Sequence, residues 1–198
     1  MQLVLDWDGT CTEVDGLHML LEEFGDLEIF EHMQGELGNG LTLHEVIAVE
    51  MGTIKLPLDF AVGWMREHVT MRPGFKELAE SRSPIVLSSG FHELIEPVLA
   101  REQVELEVRA NRLDARPDGW RPIWRDEAVC ATCGEACKRG SLTDGPYVFV
   151  GDGYSDRCAA LAAERVFARD GLARYFDELG VPYEPFETLH DVAAALGV

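Results

Sequence analysis

The chain has 198 residues, of which 46% are hydrophobic and 27% charged, so it is not a disordered protein and fits one main domain with an inserted segment. Its formal net charge of −19 disfavours nucleic acids and anionic membranes as partners. We expect no membrane span, because no apolar stretch approaches roughly 20 residues. The N-terminus lacks the basic region of a signal peptide. Five cysteines then indicate thiols in a reducing cytoplasm.

The first half of the chain predicts a strand, a helical block, and a second strand flanked by helices. Residues 1–5 form a short apolar run that stops at a polar turn, as buried parallel strands do. Residues with helical periodicity follow, and Gly and Asn interrupt this block after its first helix. The predicted helices of the block cover residues 17–24, 43–51 and 58–69. Pro73 opens a further helix over 75–82, and the apolar run 84–87 precedes a helix over 91–102.

The second half predicts a hairpin and three further strands. Residues 104–110 alternate like a half-exposed strand, and the turn signal Pro117-Asp118-Gly119 predicts a hairpin through residue 125. We interpret residues 130–142 as a loop that runs into a helix. The remaining predicted strands cover 147–150, 165–168 and 182–186, with helices after 153, around 171–179 and around 188–196.

This alternation of strands and helices predicts an α/β protein. We expect a Rossmann-like, three-layer parallel sheet with a small inserted helical cap and a β-hairpin flap. The core would comprise residues 1–13 and 71–198, and the cap residues 14–70.

Polar groups follow three of the predicted strands, where ligands bind in open α/β sheets. These strand ends read DWDGT (6–10), SSG (88–90) and GDGYSD (151–156). Asp6, Asp8 and Asp152 would bring three carboxylates to one rim, where their mutual repulsion favours a hard cation such as Mg²⁺. Ser88 and Lys138 add a hydroxyl and a cation, which suit a phosphoryl group. Each string alone is common in loops; their joint order indicates a site.

In this order, DWDGT, SSG, Lys138 and GDGYSD resemble the four motifs of the haloacid dehalogenase superfamily. The helical block resembles the cap of its phosphoserine-phosphatase-like branch. The stretch CATCGEACKRGSL (130–142) is similar to that of methionine-salvage hydroxyketo-methylthiopentenyl-phosphate phosphatases and of phosphocholine and phosphoethanolamine phosphatases. The resemblance implies a Mg²⁺-dependent phosphatase acting on a methionine-salvage hydroxyketo phosphate or phosphoserine. A phosphocholine or phosphoethanolamine phosphatase, or a non-catalytic module that binds a phosphorylated metabolite, is the alternative.

The resemblance also implies roles for the motif residues. Asp6 would attack the phosphorus and form an aspartyl phosphate. Asp8 would protonate the leaving alcohol and then deprotonate water. Ser88 and Lys138 would bind the transferring phosphoryl oxygens. The implied Mg²⁺ site consists of Asp6, the Asp8 backbone carbonyl and Asp152, with Asp156 orienting its surroundings.

We assign contacts with the substrate to Thr10, Ser89, Gly90 and Asp15. Asp15 matches the position where phosphoserine phosphatases carry a Glu that recognises the amino acid. It could instead cap the helix at Gly16, and we favour this interpretation because Asp is a preferred N-cap residue.

Three cysteines directly before Lys138 form the pattern CxxCxxxC. Cys130, Cys133 and Cys137 could bind zinc, with Cys158 or Cys11 as the fourth ligand. We favour thiols that pack a loop, because one half-site leaves the fourth ligand undetermined. A reversible disulfide that shifts Lys138 is a third interpretation.

The quaternary structure is open at this level. Trp120 and Trp124, in the hairpin, either pack on the core or mark a surface for a second subunit. We therefore expect a monomer or a homodimer. The expected binding partner is a small-molecule phosphate ester.

Overall fold

A seven-stranded sheet forms the centre of the structure, a computed structural model that describes residues 1–142 and 145–198. The strands are β1 (Gln2–Leu5), β2 (Ile85–Phe91), β3 (Glu107–Asp114), β4 (Arg121–Ile123), β5 (Tyr147–Gly151), β6 (Arg165–Ala168) and β7 (Glu184–Pro185). Their order is β4-β3-β2-β1-β5-β6-β7; β4 is antiparallel to β3, and the other described strand pairs are parallel. The strands that end in the polar motifs are therefore adjacent.

The two faces of the sheet are covered by different helices. Leu3 and Leu5 of β1 belong to one apolar cluster, whereas Val4 belongs to the other, as the alternation of side chains along a strand requires. The first face packs against α5 (Phe75–Arg82), α6 (His92–Glu102) and α9 (Leu189–Leu196). The second face packs against α7 (Arg157–Leu161) and α8 (Asp170–Leu179). The predicted three-layer α/β fold is confirmed.

Four helices separate β1 from α5, and we call residues 14–70 the insert. These helices are α1 (Gly16–Phe24), α2 (Leu27–Glu36), α3 (Leu43–Met51) and α4 (Leu58–His68). The sequence analysis predicted only three helices here and missed α2. Its buried face consists of Phe30 and Met33, while Leu27 and Ile29 are exposed, so its apolar stripe is too narrow to give a clear helical period.

The chain enters and leaves the insert through two paired segments. Thr12 and Met71 form an antiparallel bridge. The N–H of Glu13 donates to the carbonyl of Thr70 at 2.9 Å, and the N–H of Arg72 donates to that of Cys11 at 2.8 Å. This pairing anchors the base of the insert beside the loop that follows β1.

The predicted hairpin is confirmed as β3 and β4, and it packs against the insert. Trp120 is fully buried, and its indole N–H donates to the carbonyl of Leu56 at 2.9 Å. Trp124 stacks on His44 of α3, with ring centroids 3.8 Å apart. Of the two interpretations left open for these tryptophans, packing within the chain is therefore the one that the structure supports.

Residues 130–142 form less helix than predicted. The chain makes turns around Cys133 and a single 3₁₀ turn over Lys138–Ser141. No helix within residues 1–142 and 145–198 is long and apolar enough to cross a membrane.

Candidate active site

The carboxyl ends of three adjacent strands meet at the centre of the sheet. β1 pairs in parallel with both β2 and β5, so Asp6, which follows β1, lies between the ends of its two neighbours. Ser88 lies in β2, and Asp152 follows β5 directly. All three residues line one cavity of about 210 Å³, as do Asp8, Ser89 and Gly90. The topology thus brings together residues that are far apart in the sequence.

Lys138 connects two buried carboxylates. Its ammonium group donates hydrogen bonds to Asp6 and, at 2.6 Å, to Oδ1 of Asp156. The other oxygen of Asp156 accepts the backbone N–H groups of Asp152 and Gly153 at 2.9 and 3.0 Å. Protein donors therefore occupy both oxygens of Asp156, which suits a group that orients Lys138 and the turn after β5.

Burial of several carboxylates beside one lysine shifts their pKa values. Desolvation raises the pKa of Asp6 to about 6, the charge of Asp156 adds to this, and Lys138 opposes it. Desolvation, with the charges of Asp6 and Asp156, raises the pKa of Asp152 to about 9. Burial also raises the pKa of Asp8 well above its usual range. Burial disfavours the charged form of Lys138, but the carboxylates of Asp156 and Asp6 raise the pKa of Lys138 above its usual value.

The loop after β1 holds Asp8 at the start of α1. An Asp8 carboxylate oxygen accepts the backbone N–H of Gly16 at 3.0 Å, and the hydroxyl of Thr12 accepts the N–H of Gly9 at the same distance. Gly9 has φ +75°, and a Cβ at this position would lie 2.4 Å from Oδ2 of Asp152. Only glycine fits this turn, because both the backbone conformation and the contact exclude a side chain.

Arg72, at the exit of the insert, supports the same loop and was missed by the sequence analysis. Its buried guanidinium donates to the carbonyls of Gly9 at 2.6 Å, Thr10 at 2.8 Å and Thr12 at 3.0 Å. The guanidinium also donates to the backbone carbonyl of Glu187 at 3.0 Å, in the segment that leads into α9. The sequence offered no signal beyond a single Arg before Pro-Gly. Every residue has a backbone carbonyl, so a sequence motif cannot show which carbonyls Arg72 contacts.

The predicted phosphate-binding and substrate-binding residues occupy different positions. The Ser88 hydroxyl accepts the N–H of Gly90 at 2.8 Å, which shapes the turn at the end of β2. Thr10 is fully buried, and its hydroxyl donates to Oδ1 of Asp152 at 3.0 Å, so it orients the Asp152 carboxylate. Asp15 accepts the N–H of His18 at 2.8 Å, which makes it the N-cap of α1, and it also lines the cavity.

The insert supplies the opposite wall of the cavity. Glu50 is buried there and accepts a hydrogen bond from the side-chain amide of Gln34 at 2.8 Å. Burial raises the pKa of Glu50. The other insert residues that line the cavity besides these and Asp15 are Leu17, His18, Leu37, Leu43, Val46 and Ile47. This wall is therefore largely apolar, with a few hydrogen-bonding groups.

Three carboxylates converge at this rim, and two of them, Asp6 and Asp152, are placed to bind a hard cation. Asp6, Asp152 and Asp156 each offer an oxygen, and these oxygens lie within 4.8 Å of one another. Burial, together with the negative charges of Asp6 and Asp156, raises the pKa of Asp152, and a bound cation would offset these effects. Oxygen-only donors of high charge are the ligands of Mg²⁺, so the residues present fit this ion.

Four thiols form a second cluster beside the site. The sulfur atoms of Cys130, Cys133, Cys137 and Cys158 lie within 4.8 Å of one another, and we call these residues the thiol cluster. All are free thiols. Backbone N–H groups of Cys133 and Thr132 lower the pKa of Cys130 to about 6. The structure thus brings Cys158 to the three cysteines of the motif, whereas Cys11 is buried in the core.

Comparison with known proteins agrees with the fold and with the family that the sequence resembles. The family model of haloacid dehalogenase-like hydrolases matches residues 3–161. The chain belongs to this family of hydrolases.

Three individual proteins that the chain resembles are phosphatases by name. A 2-hydroxy-3-keto-5-methylthiopentenyl-1-phosphate phosphatase of Bacillus mycoides (strain KBAB4) is 30% identical over 99% of this chain and 95% of its own. The protein of the same name from Exiguobacterium sibiricum is 29% identical over 97% and 94%. A solved phosphoserine phosphatase with an analogue of its phospho-aspartyl intermediate has a TM-score of 0.71 at 16% identity, covering 98% of this chain and 97% of that one. This last likeness extends to the fold alone.

Proposed function

We propose that the protein is a phosphatase that hydrolyses a small phosphomonoester through an aspartyl phosphate on Asp6. The observation that carries this proposal is the position of Asp6. Its carboxylate follows the central strand, accepts a hydrogen bond from buried Lys138 and opens onto the cavity beside Asp8. A nucleophile and a second carboxylic acid at the cavity wall, with a cation hydrogen-bonded to the nucleophile, are the groups that transfer of a phosphoryl group to an enzyme requires.

Asp6 is the nucleophile. Its carboxylate attacks phosphorus, the bond from phosphorus to the ester oxygen breaks, and the leaving oxygen takes the electron pair. Lys138 opposes the effect of burial on the pKa of Asp6, so it favours the ionised form that can attack. The same ammonium stabilises negative charge on the transferring phosphoryl oxygens, together with the Ser88 hydroxyl and the backbone turn at Ser89 and Gly90.

Asp8 is the general acid and then the general base. Burial raises the pKa of Asp8 and so favours the protonated carboxyl group, which passes its proton to the leaving alcohol. The resulting carboxylate takes a proton from the water that attacks the phosphorus of the intermediate. Hydrolysis then releases phosphate and restores the Asp6 carboxylate. The hydrogen bond from Gly16 fixes Asp8 for both steps.

Mg²⁺ is the cofactor that we assign to the carboxylate rim. Asp6, the Asp8 backbone carbonyl and Asp152 would hold it, with Thr10 and Asp156 orienting the carboxylates around it. When bound, the ion neutralises charge and thereby allows an anionic phosphate to approach this wall.

The insert serves as the cap that selects the substrate. Its apolar wall suits an aliphatic or methylthio tail, while Glu50, Gln34 and His18 suit hydroxyl and keto groups. A 2-hydroxy-3-keto-5-methylthiopentenyl-1-phosphate has this combination, and it is the substrate in the names of two relatives. Phosphoserine fits less well, because no Lys or Arg is among the described residues that line the cavity and could pair with its carboxylate. Phosphocholine and phosphoethanolamine rank between them, since Glu50 and Asp15 could attract a cation.

Phosphate release from these four esters tests the proposal. We expect turnover with Mg²⁺ and its loss with EDTA, and the highest kcat/KM for the hydroxyketo ester. A higher kcat/KM for phosphoserine would overturn the assignment of the substrate but not of the reaction. Absence of metal-dependent release from every ester, in protein that is folded by circular dichroism, would favour a binding module over an enzyme.

A further inference from the structure

We propose that the thiol cluster binds one Zn²⁺ and that this metal fixes the loop that carries Lys138. The geometry is the first argument. The sulfur atoms of Cys130 and Cys158 are 3.8 Å apart, and all four sulfur atoms lie within 4.8 Å of one another. Tetrahedral zinc with bonds of about 2.3 Å to sulfur places its ligands about 3.8 Å apart. The four thiols therefore already have nearly the separation that the ion requires.

The exposure of the cluster argues against packing as its purpose. Cysteine that only packs is among the most buried of residues, because it behaves as a small hydrophobic group. In this cluster only Cys158 is buried, Cys130 and Cys137 are half-buried and Cys133 is exposed. Four thiols that converge at the surface are placed for a ligand rather than for a core.

The backbone turn after Cys130 favours the thiolate of this cysteine, whereas burial raises the pKa of Cys137 and of Cys158. The N–H groups of Thr132 and Cys133 point at the sulfur of Cys130. Gly134 has φ +81°, and its N–H donates to the Cys130 carbonyl at 2.8 Å, which closes the turn between the first two cysteines. Donors aimed at sulfur stabilise its negative charge, which is the form that binds metal.

Nearby cations offset part of the charge that four thiolates would carry. Arg157 precedes Cys158 and lines a cavity together with Cys133 and Cys137. The guanidinium of Arg139 donates to the hydroxyl of Thr132 at 3.1 Å, within the loop. A tetrathiolate zinc centre has a net charge of about −2, which the two arginines offset in part, although the carboxylate of Glu135 also lines this cavity.

The position of the thiol cluster indicates what a bound metal would stabilise. Cys137 immediately precedes Lys138, and Cys158 follows Asp156 by two residues. A metal that joins Cys137 to Cys158 therefore clamps together the two segments whose side chains meet in the Lys138–Asp156 ion pair at 2.6 Å. The loop before Lys138 has no regular helix or strand between residues 124 and 137, so individual hydrogen bonds, such as those that Glu135 accepts from Leu43 and Tyr154, hold it in place. The consequence for catalysis rests on the proposed function, whereas zinc binding does not.

Metal analysis of intact protein, purified without chelators or immobilised metal, tests zinc binding. We expect about one zinc per chain in the wild type and at least a tenfold lower content in Cys133→Ser, whose side chain is exposed. Cys11→Ser is the matched control, since this cysteine lies outside the cluster, and it should retain about one zinc. Cobalt added to metal-free wild type should give the sulfur-to-metal charge-transfer bands of a tetrahedral thiolate site.

Three results would overturn the inference. The first is wild-type protein with less than about 0.1 zinc per chain and no thiolate bands with cobalt. The second is equal loss of zinc in Cys11→Ser and Cys133→Ser. The third is an intact mass lower by two hydrogens, which would indicate a disulfide in the cluster.

The positioning role has its own readout. In Cys133→Ser we expect kcat to fall about tenfold while KM changes less than about twofold, because Lys138 acts on charge that develops in the transition state. Amide hydrogen exchange in residues 130–142 should increase. An unchanged kcat in zinc-free Cys133→Ser would refute the clamp and leave zinc binding intact.

Discussion

The two walls of the active-site cavity are built differently. The sheet wall consists of short polar segments at the ends of β1, β2 and β5, and hydrogen bonds hold its charged groups rigidly. The insert wall consists of side chains spaced along helices α1, α2 and α3, where buried Glu50 accepts a hydrogen bond from half-buried Gln34. The first wall suits one reaction on any phosphate ester, and the second suits discrimination among esters. Substitutions on the two walls should therefore change different kinetic constants.

The largest effect should come from the nucleophile on the sheet wall. We expect Asp6→Asn to lower kcat by at least about 10⁴-fold for every ester, because an amide cannot form the acyl phosphate. Asp59→Asn, an exposed change on α4, should keep wild-type activity. Steady-state phosphate release measures both variants. If Asp6→Asn retained more than a hundredth of wild-type kcat, another nucleophile would have to be sought.

A smaller loss of activity should follow from removal of the acid. Asp8→Asn should lower kcat by about 10²–10⁴-fold, since it removes proton transfer while Asp6 can still attack. The loss in kcat/KM, which reports the first phosphoryl transfer, should be smaller for p-nitrophenyl phosphate than for an alkyl phosphate, because the p-nitrophenolate leaving group needs no proton. Equal losses for the two esters would contradict the assignment of Asp8.

Arg72, which connects the exit of the insert to the loop after β1, should matter chiefly for the stability of the fold. Arg72→Met leaves buried carbonyls at Gly9, Thr10 and Thr12 without a donor. We expect it to lower the free energy of unfolding by roughly 3 kcal/mol. Arg174→Met, an exposed change on α8, is the control. Urea unfolding measures both variants, and equal midpoints would show that the loop after β1 does not depend on Arg72.

On the insert wall, a substitution should change preference rather than chemistry. We expect Glu50→Gln to raise KM for the hydroxyketo ester about tenfold and to leave kcat for p-nitrophenyl phosphate within about threefold of wild type. Glu31→Gln, exposed on α2, should change neither constant. A uniform fall in kcat for all esters would remove the distinction between the two walls.

Besides abolishing turnover, metal removal should change the stability of the fold, with a defined dependence on pH. Without metal, burial raises the pKa of Asp6 from 3.8 to about 6 and that of Asp152 from 3.8 to about 9. The folded chain then binds more protons than the unfolded chain between about pH 4 and pH 9, so the free energy of unfolding in EDTA falls as pH rises. Mg²⁺ should therefore raise Tm by more at about pH 8 than at about pH 5. An equal rise at both pH values would contradict this charge balance.

The sequence predicted the sheet wall more completely than the insert wall. Asp6, Ser88 and Asp152 each follow or end a short apolar run, and the rule that ligands bind beyond the ends of parallel strands brings them together. Glu50 and Gln34 come together only through the packing of α2 against α3, and α2 itself was missed because its apolar face is narrow. Local periodicity predicts an element, but it does not predict which helical faces meet.

Other residues were beyond prediction for a different reason. Arg72 acts on backbone carbonyls, which have no sequence signature, and its partners lie about 60 residues away. Cys158 joins the thiol cluster only because the turn after β5 lies beside the loop before Lys138. Spacing alone could not choose between Cys158 and Cys11 as the fourth member.

The central claim is that Asp6 carries the phosphoryl group, and trapping this intermediate tests it most directly. Asp8→Asn should slow hydrolysis of the acyl phosphate, since it removes the base that activates water. Acid quenching of this variant during turnover of a ³²P-labelled ester, followed by borohydride reduction and peptide mass spectrometry, should place the modification at Asp6. Turnover with no label on the protein, or with label at another residue, would contradict the account.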